Sequence, residues 1–343
     1  MSGVKLPGLE ALRGFAALYV FAHHARLAPN SGWGMLLYFG QEAVILFFLL
    51  SGFVIDHSTR GRSVTAKRYL IHRFRRIYPI FLVALFLAYL AACVSARELV
   101  PVQAVQLLGN ILMMQDVASL KPGVWVDTYR GNSALWSLSY EWWFYMGFIP
   151  LSLWAADRKA SRFPLVWLLS LLGAGSYLLL PNQLSLFLGY FVIWWAGVEL
   201  SRDYSAAGFV ARGTAMKIIG GLLALALVWS IPLVGMSGAK IALGTSPFLQ
   251  VRHFLAAAAF VGIAYGWSMI RFRGFFPLMR PFCLIAPVSY FLYACHLPLI
   301  QIARQAGLFE APWLGALLTL GAALALGWIV EVRIQRAINQ VMK

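Results

Sequence analysis

Acidic residues are scarce: 12 Asp and Glu stand against 28 Lys and Arg, and charged residues together make up only 12% of 343. A soluble domain carries about twice that share of charge. With 61% hydrophobic residues and a mean hydropathy of +0.75, too much of the chain is apolar to hide inside a water-soluble fold of this length. A soluble enzyme and a disordered chain are thereby excluded. Cysteine is nearly absent. Cys93, Cys283 and Cys295 lie in apolar runs, odd in number and without CxxC spacing, and read as small packing residues rather than a disulfide scaffold or redox pair. Short-spaced histidine motifs are missing too, so no metal site is expected. What remains is a polytopic, all-α membrane protein.

The net charge of +16 would suggest nucleic acid in a soluble protein. Here the basic residues sit in short loops between apolar runs, so no nucleic-acid partner is expected and the lipid bilayer takes that role. Counting stretches of roughly 20 mostly apolar residues gives ten spans, at 11–29, 36–56, 77–97, 135–155, 164–180, 184–201, 216–235, 250–270, 283–303 and 313–332. Ten spans bring both termini to one side. Assigning that side to the cytoplasm leaves only Arg26, Arg97, Lys121, Arg130, Lys240, Arg252 and Arg304 of the 28 basic residues outside, as the positive-inside rule demands. The stretch Met1–Arg26 lacks a small-residue cleavage site and reads as a retained first helix rather than a signal peptide. The longest outer connection, 98–134, contains an apolar run that either lies at the interface or dips into it. The expectation is one integral-membrane domain over 1–343, with no appended soluble domain.

Ionisable groups at membrane depth are costly and suggest function. Arg13 and His24 are eleven residues apart, which returns to nearly the same helix face and separates them by roughly 16 Å along the axis. Glu42, Glu141 and His296 each fall about six residues below the outer ends of their spans, at a depth similar to His24, so a polar chamber in the outer half of the bundle is expected. A histidine beside a carboxylate suits general-base chemistry. On the inner side Arg73 and Arg76, one helical turn apart, would ring the mouth with Arg13 as a phosphate clamp. The plainer reading of that run is an orientation signal or an anionic-lipid patch. Ser51-Gly52 is read as a close helix approach or a helix break; a nucleophilic serine there lacks the GxSxG context.

The motifs that carry a resemblance run in order along the chain. Gly8-Leu9-Glu10-Ala11-Leu12-Arg13-Gly14 opens the first helix and is followed by the Arg13-x10-His24 spacing. Phe47-Phe48-Leu49-Leu50-Ser51-Gly52-Phe53 lies in the second. Arg73-Phe74-Arg75-Arg76-Ile77-Tyr78-Pro79 leads into the third, Trp136-Ser137-Leu138-Ser139-Tyr140-Glu141-Trp142-Trp143-Phe144-Tyr145 opens the fourth, and Ser289-Tyr290-Phe291-Leu292-Tyr293-Ala294-Cys295-His296-Leu297-Pro298, a late Tyr-x-x-His-x-Pro element, lies within the ninth. In these pieces the chain resembles the integral-membrane acyltransferase-3 family, which acylates mostly carbohydrate hydroxyls from acyl-CoA. One departure is Glu10, where many members have aspartate.

The resemblance implies acyl-CoA, with acetyl-CoA the expected form, as co-substrate in a bacterial inner membrane, and a carbohydrate or glycolipid as acceptor. It implies His24 as general base and Glu141 as its orienting or acceptor-binding carboxylate. Arg13, Arg73 and Arg76 would hold the donor phosphates. Glu42, Trp136, Tyr290, Tyr293 and His296 would contact substrate, the tyrosines and His296 as hydrogen-bond donors to the developing oxyanion and Trp136 as a stacking face for a sugar. A continuous tunnel from the arginines to His24 is the physical core of this expectation. The rival reading is a transporter or exporter of an acyl group or small glycan using the same polar chamber. Oligomeric state is left open by the sequence.

Overall fold

The computed structural model describes residues 6–27, 32–154, 161–236, 238, 242–335 and 337. The expected span ends at 29 and 155, and Lys240, lie outside the described residues. The chain is almost wholly helical: α1 (Pro7–Ala25), α2 (Gly40–Thr59), α3 (Ala66–Ala96), α4 (Ala104–Ile111), α5 (Trp136–Phe148), α6 (Phe163–Leu179), α7 (Gln183–Ala207), α8 (Arg212–Ser230), α9 (Phe248–Met269), α10 (Phe275–Met279), α11 (Ser289–Gln305) and α12 (Pro312–Gly327). Two π-helical segments, Ile149–Leu153 and Trp328–Ile334, continue α5 and α12.

Among the described residues seven helices are long and apolar enough to cross a membrane: α2, α3, α7, α8, α9, α11 and α12 with their flanking turns. Helices α1, α5 and α6 lie where the other three spans are expected. The first carries Glu10, Arg13, His23 and His24, and the other two run for 13 and 17 residues. This is a multi-pass membrane protein.

Local chemistry explains the boundaries. Pro7 sits in the first turn of α1, where its missing N–H costs nothing. Thr65 caps α3, its Oγ1 accepting from the Arg68 N–H, so α3 starts eleven residues before the expected span and takes in the whole basic run. Arg73 and Arg76, expected one helical turn apart just before the span, therefore stand on the same continuous helix as the span. Asn182 caps α7 by accepting from the Ser185 N–H, which closes the tight Pro181–Gln183 hairpin after α6.

The core centres on α7, nearly every residue of which is buried from Gln183 to Ser201. Its crossing with α2 is backbone on backbone. A Cβ on Gly52 would stand 2.0 Å from the Trp194 carbonyl oxygen, and one on Gly197 2.0 Å from that of Leu49. Of the two readings of Ser51-Gly52, close approach holds, and α2 runs through it unbroken.

The 98–134 connection is a folded lobe. Helix α4 turns Val105 and Leu108 outward while burying Asn110, whose side chain bonds the Asp127 carbonyl and the Tyr129 N–H. Residues 115–116 pair in parallel with 126–127. Beneath them Lys121 meets Asp116 at 2.8 Å with the Tyr140 hydroxyl donating to the same carboxylate, and the ammonium lies 4.0 Å from the Trp136 ring centroid. Burial holds this lysine below its ordinary pKa, and Asp116 opposes that shift.

Candidate active site

Two polar centres emerge, an arginine-lined cavity and a histidine pair. The first is a cavity of about 140 Å³ among α1, α2, α3, α5 and α11. Arg13, Arg73 and Arg76 all line it, with Ser51, Glu141, Tyr145, Ser289, Tyr290 and Tyr293. Arg13 donates to the Ala286 carbonyl (3.2 Å) and the Ser289 hydroxyl (3.1 Å). Arg76 pairs with Glu331 at 2.9 Å and lies over the Tyr290 ring. Arg73 stacks between the rings of Tyr69 and Tyr145 and makes no ion pair among the described residues. A wider space of about 450 Å³, lined by Glu10, His57, Ser58, Arg60, Arg62 and Ser205 among others, adjoins the cavity and shares Arg13 and Val54 with it. It opens at the end of the bundle where α1 begins.

Glu141 belongs to this cavity and not to His24. Its Oε1 accepts from the Ser51 hydroxyl at 2.6 Å and from the Tyr145 hydroxyl one helical turn away. The Trp194 indole N–H donates to Ser51 Oγ (3.1 Å), so the close α2–α7 crossing fixes the serine that orients the carboxylate.

The second centre is the pair His24–His296 at the far end of α1. His296 is fully buried and His24 half-buried. Their protons follow from their partners. His296 Nδ1 faces two carbonyl oxygens, Leu292 (3.0 Å) and Tyr293 (2.8 Å), which only accept, so it carries the hydrogen and Nε2 is bare. That bare Nε2 lies 3.1 Å from His24 Nδ1, which also faces the Val20 carbonyl at 3.0 Å. His24 Nδ1 must therefore be the donor. The network leaves His24 Nε2 with a free lone pair, the form a general base requires.

His24 does not line the arginine cavity. Tyr293 stands in the cavity wall and packs against the His296 ring at 6.4 Å, and Phe47, also in the wall, packs against Tyr293 at 5.4 Å. The expected tunnel is closed at this aromatic pair.

Other expected contacts are spent within the protein. Glu42 pairs with Arg252 at 2.5 Å, because the first turn of α2 packs against α9. Trp136 is 6% exposed, with its ring covered by His253 and the Lys121 ammonium, and so offers no face to a sugar. The Tyr290 hydroxyl donates to the Ile77 carbonyl and that of Tyr293 to Ala134, accepting in turn from Ser137 (2.7 Å), so neither points a free proton at an oxyanion. The expected layer of His24, Glu42, Glu141 and His296 thus resolves into three separate sites. Its flaw was to infer proximity from depth alone: four helices can reach one depth on different sides of a bundle. Ser51 and Glu331 were not expected as site residues. Glu331 lies inside the expected tenth span, where an ionisable group was itself the signal.

The structure is thus a multi-helix membrane bundle with an arginine-lined cavity and, at the other end of α1, a hydrogen-bonded histidine pair. Residues 6–332 match the acyltransferase-3 family (acyltransferase domain), and the chain belongs to it. It is 37% identical over 155 residues to acyltransferase MdmB of Streptomyces mycarofaciens, covering 42% of this chain and 38% of that protein. It is 35% identical over 89 residues to protein 2 in the picA locus of Rhizobium radiobacter, covering 23% and 41% respectively. The matches span about two fifths of the length of either relative. No solved structure matches the chain.

Proposed function

We propose that the protein transfers an acyl group, acetyl in its simplest form, from acyl-CoA to a hydroxyl of a cell-surface carbohydrate or glycolipid precursor. The observation that carries this reading is the convergence of Arg13, Arg73 and Arg76 on one cavity, which adjoins a wider space at the end where α1 begins. Guanidinium groups match phosphate oxygens in charge and geometry. The positive-inside pattern assigns that end to the cytoplasm, where acyl-CoA is made. The same pattern suits a bacterial inner membrane with both termini inside.

In this reading the donor phosphates sit on the arginines. The pantetheine arm runs outward along α1, and the Arg13–His24 interval of roughly 16 Å is comparable to its reach. Glu141 receives both hydroxyls on Oε1, leaving Oε2 for an amide N–H of the arm. Phe47 and Tyr293 must part for the thioester to pass. His24 Nε2 then takes the proton of the acceptor hydroxyl, whose oxygen forms the new bond to the thioester carbonyl carbon. The carbon–sulfur bond breaks, and the thiolate recovers the proton from the imidazolium. His296 holds the Nδ1 hydrogen of His24 throughout.

Mass spectrometry of cell-surface glycans with and without the protein tests the reading. Acyl-bearing sugars that vanish in its absence support it. Unchanged acylation with altered export of the glycan would favour a transporter.

A further inference from the structure

We infer that Glu331, in the π-helical segment after α12, is a positioning residue for the donor-binding arginines. The inference rests on the proposed role of that cavity. The Glu331 side chain is 1% exposed, whereas Arg76, its partner at 2.9 Å, keeps 37% of its side-chain surface open and lines the cavity. A carboxylate this deeply buried cannot exchange its partner for water, so it holds the guanidinium by one nitrogen. The other donors of Arg76 stay free to meet an anion.

Glu331 is itself fixed. Its other oxygen accepts from the Phe291 N–H at 2.8 Å, filling one of the open donors in the first turn of α11, the helix that carries Tyr290, Tyr293 and His296. One turn further on, the Gln335 amide donates to the Arg75 carbonyl at 2.8 Å. The segment thus grips the arginine stretch of α3 twice, by the side chain of Arg76 and by the backbone beside it. Gly327, just before the π turn, permits the approach: a Cβ there would meet Phe291 at 3.2 Å. Isolated π turns occur frequently at functional sites, where the extra residue redirects side chains. Here the redirected side chain is the one that orients a cation in the cavity.

The test is acyl-donor kinetics of E331Q, R76Q and the double variant in membranes. E331Q keeps one acceptor oxygen for the Phe291 N–H and turns its amide NH2 toward Arg76, so it loses the charge and the acceptor that face the guanidinium. It is expected to raise the donor KM about tenfold, the scale of one charge-assisted hydrogen bond, with kcat within about threefold and E331D restoring part of the loss. Because Glu331 acts through Arg76, E331Q should add nothing in the R76Q background. If E331Q alone fails to accumulate, the double variant, with neither charge stranded, carries the test by matching the KM of R76Q. A donor KM unchanged or lowered in E331Q, or a further rise in the double variant over R76Q, overturns the inference. A wild type with no saturable dependence on acyl-CoA overturns the proposed function itself, a distinct outcome.

Discussion

Replacing His296 tests the tautomer argument, because the structure fixes how much should be lost. His24 Nδ1 has two acceptors, His296 Nε2 at 3.1 Å and the Val20 carbonyl at 3.0 Å. His296→Leu removes one and leaves the other, so the tautomer with a bare Nε2 persists with weaker support. The loss of one buried hydrogen bond, about 0.5–1.5 kcal/mol, corresponds to a fall of roughly 2- to 13-fold in kcat. His296→Gln, whose side-chain oxygen can accept from the same Nδ1–H, should recover most of it. His24→Ala removes the base altogether and should cost about 10²- to 10⁴-fold. The assay is acyl transfer from labelled donor in membranes, with protein levels matched by immunoblot. The reverse order, with His296 variants inactive and His24→Ala active, would refute the assignment and make His296 the base.

The remaining predictions concern the cavity and the packing around it. Arg73→Gln should raise the donor KM about tenfold with kcat little changed, since it removes a cavity cation that has no ion-pair partner among the described residues; a kcat effect alone would contradict this. Gly52→Ala forces a methyl to within 2.0 Å of the Trp194 carbonyl oxygen, so α2 and α7 must separate. That should cost about 1–3 kcal/mol of stability and break the Trp194–Ser51 hydrogen bond, read as a lower Tm in detergent together with weakened activity. Lys121→Met strands the fully buried Asp116 and should destabilise by about 3–5 kcal/mol, whereas adding Asp116→Asn should recover most of the Tm.

Helix positions were legible because apolar runs of spanning length have few alternatives. The start of α3 was missed because the basic run from Lys67 to Arg76 reads as a loop by hydropathy, although Thr65 is a good N-cap and nothing between Ala66 and Ala96 but Pro79 opposes helix. The arginine cluster was legible from spacing: Arg73 and Arg76 at i and i+3 share a face, and Arg13 meets them. The pairing of His24 with His296 rather than Glu141 was not, because it depends on which faces of α1, α5 and α11 meet. Helices that are apolar around most of their circumference leave that rotation unmarked. The barrier at Phe47 and Tyr293 was likewise invisible, since aromatic residues in spanning helices are too common to single out a gate.

In the proposed reaction the arginine cavity and His24 serve one transfer. Its most direct measurement is transfer from labelled acetyl-CoA to a glycan acceptor in membranes carrying wild type, R13Q, R76Q or H24A, with donor KM and kcat determined separately. The arginine variants should raise donor KM, while H24A should lower kcat about 10²- to 10⁴-fold and leave donor binding intact. Full turnover in H24A, or arginine variants with an unaltered donor KM, would contradict this.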